Sequence, residues 1–327
     1  MILERSSEEF EKQALSFSSD DRYPWAGQWE LTCRCNLKCL MCYTDPFNTP
    51  ERIRQELTTS EIFRILDELQ EAGCVELTFT GGEALSRPDF MAIYERAHKL
   101  GFLITIFTNG TLINEEIAER WAQARPVSVE ISLHGISRGV FDRVTQISGS
   151  LERCLKGIQF LRARQIPVVL KTVGLTANQE EILAVKQYAE SLGEGVTWKF
   201  GQYLRDDLEQ SGAPFQYQVS EEELQDLEKQ DGQLWKAKCE EIEKSESMTK
   251  PSCGGGKMKF HIDAYGRLQL CSNNRRVSFD LRKGSFRRGF YELLPAFPCP
   301  RRTVLSPHQS CADEAVSCQC KCGGQDA

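Results

Sequence analysis

Residues 35–42 read Cys35-Asn36-Leu37-Lys38-Cys39-Leu40-Met41-Cys42, just after the apolar stretch Gln28-Trp29-Glu30-Leu31-Thr32. Three cysteines at C-x3-C-x2-C spacing on one short loop are placed to hold, as thiolates, three irons of a cubane 4Fe-4S cluster. No fourth cysteine follows at matching spacing, so one iron would keep an open position. An open position marks catalysis, a fully ligated one structure. The competing readings are a zinc knuckle and three unrelated thiols. Zinc needs a fourth Cys or His nearby. Cys33 is the one local candidate, and Cys33-Arg34-Cys35 at a strand end is awkward for a tetrahedral site.

Around this loop, from residue 25 to about 200, apolar β-rich runs alternate with stretches of helical period. Candidate strands are Gln28–Thr32, Val75–Thr80, Leu103–Thr108, Val127–Leu133, Val168–Val173 and Val196–Phe200. Thr58-Thr59-Ser60-Glu61 is a capping box opening a helix with Ile62, Leu66 and Leu69 on one face. Leu151, Leu155 and Ile158 form a second such face, in a helix that must stop before Pro167. Six βα units with near-continuous apolar strands define an α/β fold with a parallel sheet covered by helices. Such sheets carry their chemistry at the C-terminal ends of the strands, where the cysteine loop falls.

Three further strand ends carry candidate residues. The second strand runs into Gly81-Gly82-Glu83, a pair of glycines that either lets backbone approach a ligand or makes a tight turn. The third ends in Thr108-Asn109-Gly110 and the fourth in Ser132-Leu133-His134. Hydroxyl and amide groups there suit ribose hydroxyls, or simply turn chemistry. His134 reads as an acid or base beside a substrate, or as a hydrogen-bonded structural residue. Lys171, inside the apolar fifth strand, either meets a carboxylate or snorkels outward.

The cysteine loop resembles that of the radical SAM family, C-x3-C-x-(aromatic)-C, with Met41 where an aromatic is usual. The resemblance implies a partial (β/α)6 barrel, open on one side. It implies a 4Fe-4S cluster on Cys35, Cys39 and Cys42 whose open iron takes the amino and carboxylate groups of S-adenosylmethionine. One electron then gives methionine and a 5′-deoxyadenosyl radical, which abstracts a substrate hydrogen. By the same resemblance the Met41 backbone faces the adenine, and Gly81, Gly82 and Glu83 hold the amino group. Thr108, Asn109 and Ser132 then lie near ribose and methionine, and Lys171 near the methionine carboxylate.

Seven cysteines crowd the C-terminal end: Cys253, Cys271, Cys299, Cys311, Cys318, Cys320 and Cys322. Phe260 to Leu270 reads as a hairpin turning at Asp263–Gly266. The opening, Cys253-x12-Gly266-x4-Cys271, resembles the SPASM domain, an auxiliary iron–sulfur module of many radical SAM enzymes. The spacing after Cys299 departs from that pattern, so one or two auxiliary clusters remain open, with a zinc knuckle as the alternative. Cys33, Cys74, Cys154 and Cys239 read as core or incidental thiols.

The organisation expected is an N-terminal extension over 1–24, a barrel over 25–200, an acidic helical linker over 201–250 and a SPASM-like domain over 251–327. The linker carries 13 Asp and Glu between Asp206 and Glu246. Seven Arg and one Lys between Arg275 and Arg302 read as neutralising a cluster, receiving an acidic peptide, or being solvated. Hydrophobic content of 40% and charged content of 27% describe an ordinary globular chain. No run of 18 apolar residues or export signal is present, so 14 cysteines point to metal or redox work in an oxygen-poor cytoplasm. Net charge of −7 argues against general nucleic-acid binding. The function expected is hydrogen abstraction from a peptide or protein, with ferredoxin or flavodoxin as electron donor. The alternatives are a small-molecule substrate (tetrapyrrole, sugar or alcohol) and a non-catalytic iron–sulfur protein.

Overall fold

Six parallel strands are laid down in chain order: β1 (Ala26–Thr32), β2 (Glu76–Gly81), β3 (Leu103–Thr108), β4 (Ser128–Ser132), β5 (Val168–Val173) and β6 (Val196–Gly201). Each pairs with its predecessor. They fall within about two residues of the apolar runs that announced them. The computed structural model describes residues 22–44, 48–208, 211–247 and 255–296. Cys253, Cys299, Cys311, Cys318, Cys320 and Cys322 lie outside those residues, as does nearly all of the 1–24 extension.

Helices return the chain between strands: α1 (Pro50–Gln55), α2 (Thr59–Glu71), α3 (Phe90–Lys99), α4 (Glu115–Gln123), α5 (Arg138–Thr145), α6 (Ser150–Ala163) and α7 (Ile182–Ser191). The Thr58–Glu61 capping box starts α2 and turns Ile62, Ile65, Leu66 and Leu69 inward. In α6 the buried face is Leu151, Cys154, Ile158 and Leu161; Leu155 sits half-buried beside it. Phe79, Phe90, Tyr94 and Trp121 pack ring on ring, with centroids 6.1–6.4 Å apart.

The sheet does not stop at β1. Beyond it come β7 (Lys259–Ile262), parallel to β1, then β8 (Arg267–Cys271) and β9 (Asn274–Asp280), both antiparallel. The hairpin read at 260–270 is there. It extends the same nine-stranded sheet, ordered β6-β5-β4-β3-β2-β1-β7-β8-β9. Phe260, Leu268, Phe286 and Phe290 join the common core. Arg282 donates to Glu61 and to the Gln55 and Glu56 carbonyls, fastening this C-terminal unit to α1 and α2. The acidic stretch forms α8 (Glu221–Lys229) and α9 (Gly232–Ser247). Leu224 and Glu228 turn inward, and Asp231 pairs with Lys186 of α7.

Both faces of a parallel sheet are normally apolar. Here the helix-facing side is: Trp29, Leu31, Leu77, Phe79, Ile104, Ile106, Val129, Ile131 and Leu170 are buried. The other side carries Gln28, Glu30, Thr78, Thr80, Thr105, Glu130, Ser132, Lys171 and Lys199, aligned across neighbouring strands. Laid flat, the seven spacings from β6 to β8 would separate them by roughly 34 Å at about 4.8 Å each. Yet Arg205, just past β6, donates 2.9 Å from Nη1 to Ser272 Oγ, just past β8. The sheet is therefore curled around its polar face. It stays open, because β6 and β9 are unpaired edges.

Candidate active site at the C-terminal ends of the strands

The cysteine loop leaves β1 through a clamp of charges. Glu56 Oε1 accepts from Thr32 Oγ1 at 2.7 Å and Cys33 N at 2.9 Å, while its Oε2 lies 3.0 Å from Arg34. Arg87 donates to the Leu31 and Leu57 carbonyls at 3.0 and 2.7 Å. Past the clamp, Leu37 is buried, and the Lys38 and Leu40 amides donate to the Thr145 and Val144 carbonyls at the end of α5. A helix end needs such donors, so the loop and α5 cap one another. Asn48 brackets Cys35, accepting from its amide at 3.1 Å and donating to its carbonyl at 2.8 Å.

Cys35, Cys39 and Cys42 are half-buried neighbours. Burial, then the nearby Cys42 and Cys35 charges, pushes the Cys39 thiol up. Burial is also the first cause at Cys35, raised to about 12, with Glu83 and Cys42 adding to it and the Leu37 amide opposing. Iron binding must displace these protons, so uptake weakens as pH falls. Soft thiolate donors select zinc or iron–sulfur clusters. Among the described residues no three His, Cys, Asp or Glu are gathered as ligands of one ion. A cubane does not ask for that, since each thiolate binds its own iron. The loop fits the cluster.

Gly81 and Gly82 answer to the chain itself. A Cβ on Gly81 would lie 2.2 Å from the Thr32 carbonyl oxygen, and one on Gly82 2.4 Å from that of Arg34. Gly82 N donates to Thr32 O at 2.9 Å and Glu83 N to Arg34 O at 2.7 Å. The glycines thus let β2 lie against the root of the cysteine loop. Glu83 is fully buried, and its carboxylate accepts from Thr108 Oγ1 (2.8 Å), Leu85 N (3.0 Å) and Asn109 N (2.7 Å). Burial raises its pKa against those hydrogen bonds. The side chain, expected as an acceptor for an amino group, also ties β2 to β3.

Thr108 and Asn109, expected near a ribose, are buried and hydrogen-bonded within the protein. Asn109 Nδ2 donates to Asn36 Oδ1 at 2.9 Å and lies 3.9 Å from Cys35 Sγ. Its Oδ1 accepts from Thr111 N and Oγ1 at 2.9 and 2.6 Å, and Thr111 Oγ1 accepts from Asn36 Nδ2 at 2.7 Å. This closed ring joins β3 to the residue after Cys35. Asn36, Thr111, Glu56 and Arg87 were not singled out from sequence; the position of Asn36 next to Cys35 was the available signal.

Farther along the rim, Ser132 and Lys171 are paired in register on β4 and β5. Lys171 Nζ lies 3.2 Å from Glu130 and 3.5 Å from the Phe107 ring centroid, so it points into the curl. His134 is buried, accepts at Nδ1 from Val173 N at 3.3 Å, and is lowered to about 4 by burial and then by Lys171. Met41 is half-buried within the loop. Cys271, ending β8, is half-buried beside Ser272 and thus near Arg205.

The floor of the curl holds charges missed from sequence. Arg275 donates to both oxygens of Glu30 at 2.9 and 2.5 Å, and His261 Nε2 stands 3.4 Å from the same carboxylate. His261 Nδ1 and Gln269 Oε1 are 2.8 Å apart. Burial alone would raise the Glu30 pKa; His261 and then Arg275 outweigh it and hold it at about 2. Tyr43, directly after Cys42, has Arg205 5.3 Å above its ring. Burial first, then Glu30, raises Tyr43 to about 12.

A polar, charged curl with a three-thiol loop at its strand ends defines a class. Residues 29–189 match the Radical SAM superfamily; this part of the chain is a radical SAM domain. The chain is 34% identical over 165 residues to an AdoMet-dependent heme synthase of Methanosarcina barkeri, covering 50% of this chain and 47% of that protein. It is 30% identical over 164 residues to a PqqA peptide cyclase of Granulibacter bethesdensis, covering 50% and 43%. The match thus spans less than half of each relative. In fold it resembles Streptococcus suis SuiB bound to the precursor peptide SuiA, with TM-score 0.67 and 15% identity over 95% of this chain and 75% of that one.

Proposed function

We propose that this chain is a radical SAM enzyme that oxidatively modifies a peptide or protein, leaving a thioether, a carbon–carbon crosslink or an oxidised side chain. The observation that carries the reading is the cysteine loop set over a polar, charged half-barrel interior open on one side. When bound, the cluster and S-adenosylmethionine supply a 5′-deoxyadenosyl radical that removes a substrate hydrogen. In this reading Cys35, Cys39 and Cys42 hold the cluster, and the Glu56 clamp and the Asn36–Asn109–Thr111 ring fix the loop. The Met41 backbone, the Gly81 and Gly82 backbone, Ser132 and Lys171 line the place for S-adenosylmethionine. Glu83, Thr108 and Asn109 act from behind, as positioning residues.

The C-terminal cysteines Cys253, Cys271, Cys299, Cys311, Cys318, Cys320 and Cys322 belong, in this proposal, to a SPASM-like module with one or two auxiliary clusters. A low-potential donor such as ferredoxin or flavodoxin delivers the electron. Support for a peptide comes from the PqqA peptide cyclase relative; the heme synthase relative favours a tetrapyrrole as the second reading. Anaerobic incubation with a candidate precursor peptide, followed by mass spectrometry, tests the choice. Loss of two hydrogens that requires Cys35 supports the peptide reading; an unchanged peptide beside a modified porphyrin supports the second.

A further inference from the structure

Charge is distributed unevenly over the floor of the curl. On the β1 and β7–β9 side, Glu30 and Asp263 stand with Arg275 and His261. On the β4–β6 side, among the described residues, the carboxylate of Glu130 meets two cations and a third stands apart. Glu130 is buried, and its two oxygens are already taken, by Lys171 at 3.2 Å and Lys199 at 2.8 Å. The third cation, Arg205, has no carboxylate partner among the described residues. Among those residues it uses one N–H on Ser272 Oγ and covers the Tyr43 ring, which leaves most of its five donors unspent there. Asp206 and Asp207 beside it turn to their own loop, accepting from Gly212 N at 2.9 Å and Ser211 N at 3.0 Å. Lys171 feels the other two: burial pushes it down first, Glu130 opposes, and the Lys199 and Arg205 charges push it down further.

This surplus of positive charge is accessible and close to the reaction centre. The Lys199 side chain is 60% exposed. Arg205 lies over the residue that follows Cys42. Lys171 suffices for the one carboxylate of S-adenosylmethionine and Lys199 holds Glu130, so one positive charge stays unmatched: Arg205, with the exposed Lys199 on the same β6 wall. We propose that Lys199 and Arg205 form a carboxylate-binding subsite on the β6 wall that fixes an Asp or Glu side chain of the substrate peptide. Arg205 offers the two-pronged geometry that a carboxylate prefers, and Lys199 a mobile point charge. The proposal rests on the peptide reading above and adds that the peptide is acidic near its reacting residue.

The test uses full-length protein reconstituted with iron and sulfide, as wild type, K199Q, R205Q and the double variant. Fluorescence anisotropy measures binding of a labelled Glu-rich hexapeptide and its Gln counterpart, with S-adenosylmethionine present. A second arm uses coproporphyrin III and its tetramethyl ester. A third measures dithionite-driven 5′-deoxyadenosine without substrate. Expected are a preference of about tenfold or more for the Glu peptide, weakening with salt, and its loss in the double variant with deoxyadenosine formation unchanged. Equal binding of both peptides, or a preference that survives both substitutions, overturns the subsite. So does a fall in deoxyadenosine in the variants, which would assign the cations to S-adenosylmethionine. Preference for coproporphyrin over its ester, with no peptide binding, overturns the peptide occupant while leaving a carboxylate site. If wild type makes no deoxyadenosine yet discriminates the peptides, the subsite stands and the catalytic reading fails.

Discussion

Gly82 shows how tightly the cysteine loop is built. A methyl group there meets the Arg34 carbonyl oxygen at 2.4 Å, and a backbone oxygen has nowhere to go. G82A is therefore expected to lose about 1–3 kcal/mol in urea unfolding and to bind less iron per chain. Asn109 acts on the same loop without touching a metal. N109A removes the donor to Asn36 and the neighbour of Cys35 Sγ. Iron should then pass to a chelator about 10–100-fold more readily, the usual effect of cutting a group that orients ligands. N109D, which keeps the acceptor for Thr111 and loses the amide donor, should fall between. The three cysteines were legible because their spacing is local. The inward turn of Glu83, Thr108 and Asn109 was not, since the partners that link them across strands and to Asn36 lie 25 or more residues away.

Strands and helices were legible where their pattern is short-ranged. The Thr58–Glu61 box starts α2 where expected, and T58A should cost about 1 kcal/mol in thermal unfolding. One strand signal was there and unused. Trp29-Glu30-Leu31 and Val129-Glu130-Ile131 each set a charge between two core residues, and Leu170-Lys171 repeats the step on β5. A charge at mid-strand marks a second face that is not packed by helices. The buried Glu30 gives that face a pH signature. Its carboxyl sits at about 2 against an ordinary 4.5, so its contribution is complete above pH 4.5 and fades as pH falls toward 2. E30Q, which leaves Arg275 and His261 facing a neutral group, should be less stable than wild type at pH 7. The gap should narrow between about pH 5 and 2 in denaturant titrations.

For the molecule as a whole, the curl decides what the sheet does. It takes residues from both ends of the chain, with Arg205 reaching Ser272 and Arg275 reaching Glu30. No window of sequence contains both partners, so neither the curl nor the addition of β7–β9 beside β1 was readable from periodicity. The Arg-rich stretch is clearer in retrospect: Arg275 and Arg282, two of its described members, bind parts of the same fold. The central claim, however, concerns the thiol loop. It is tested most directly by electron paramagnetic resonance on anaerobically reconstituted, reduced protein before and after S-adenosylmethionine. Expected is a signal component that changes on addition, together with 5′-deoxyadenosine, both lost in Cys35→Ala while any auxiliary-cluster signal stays. Signals of which none responds to S-adenosylmethionine, or a responsive signal that persists without Cys35, contradict the account.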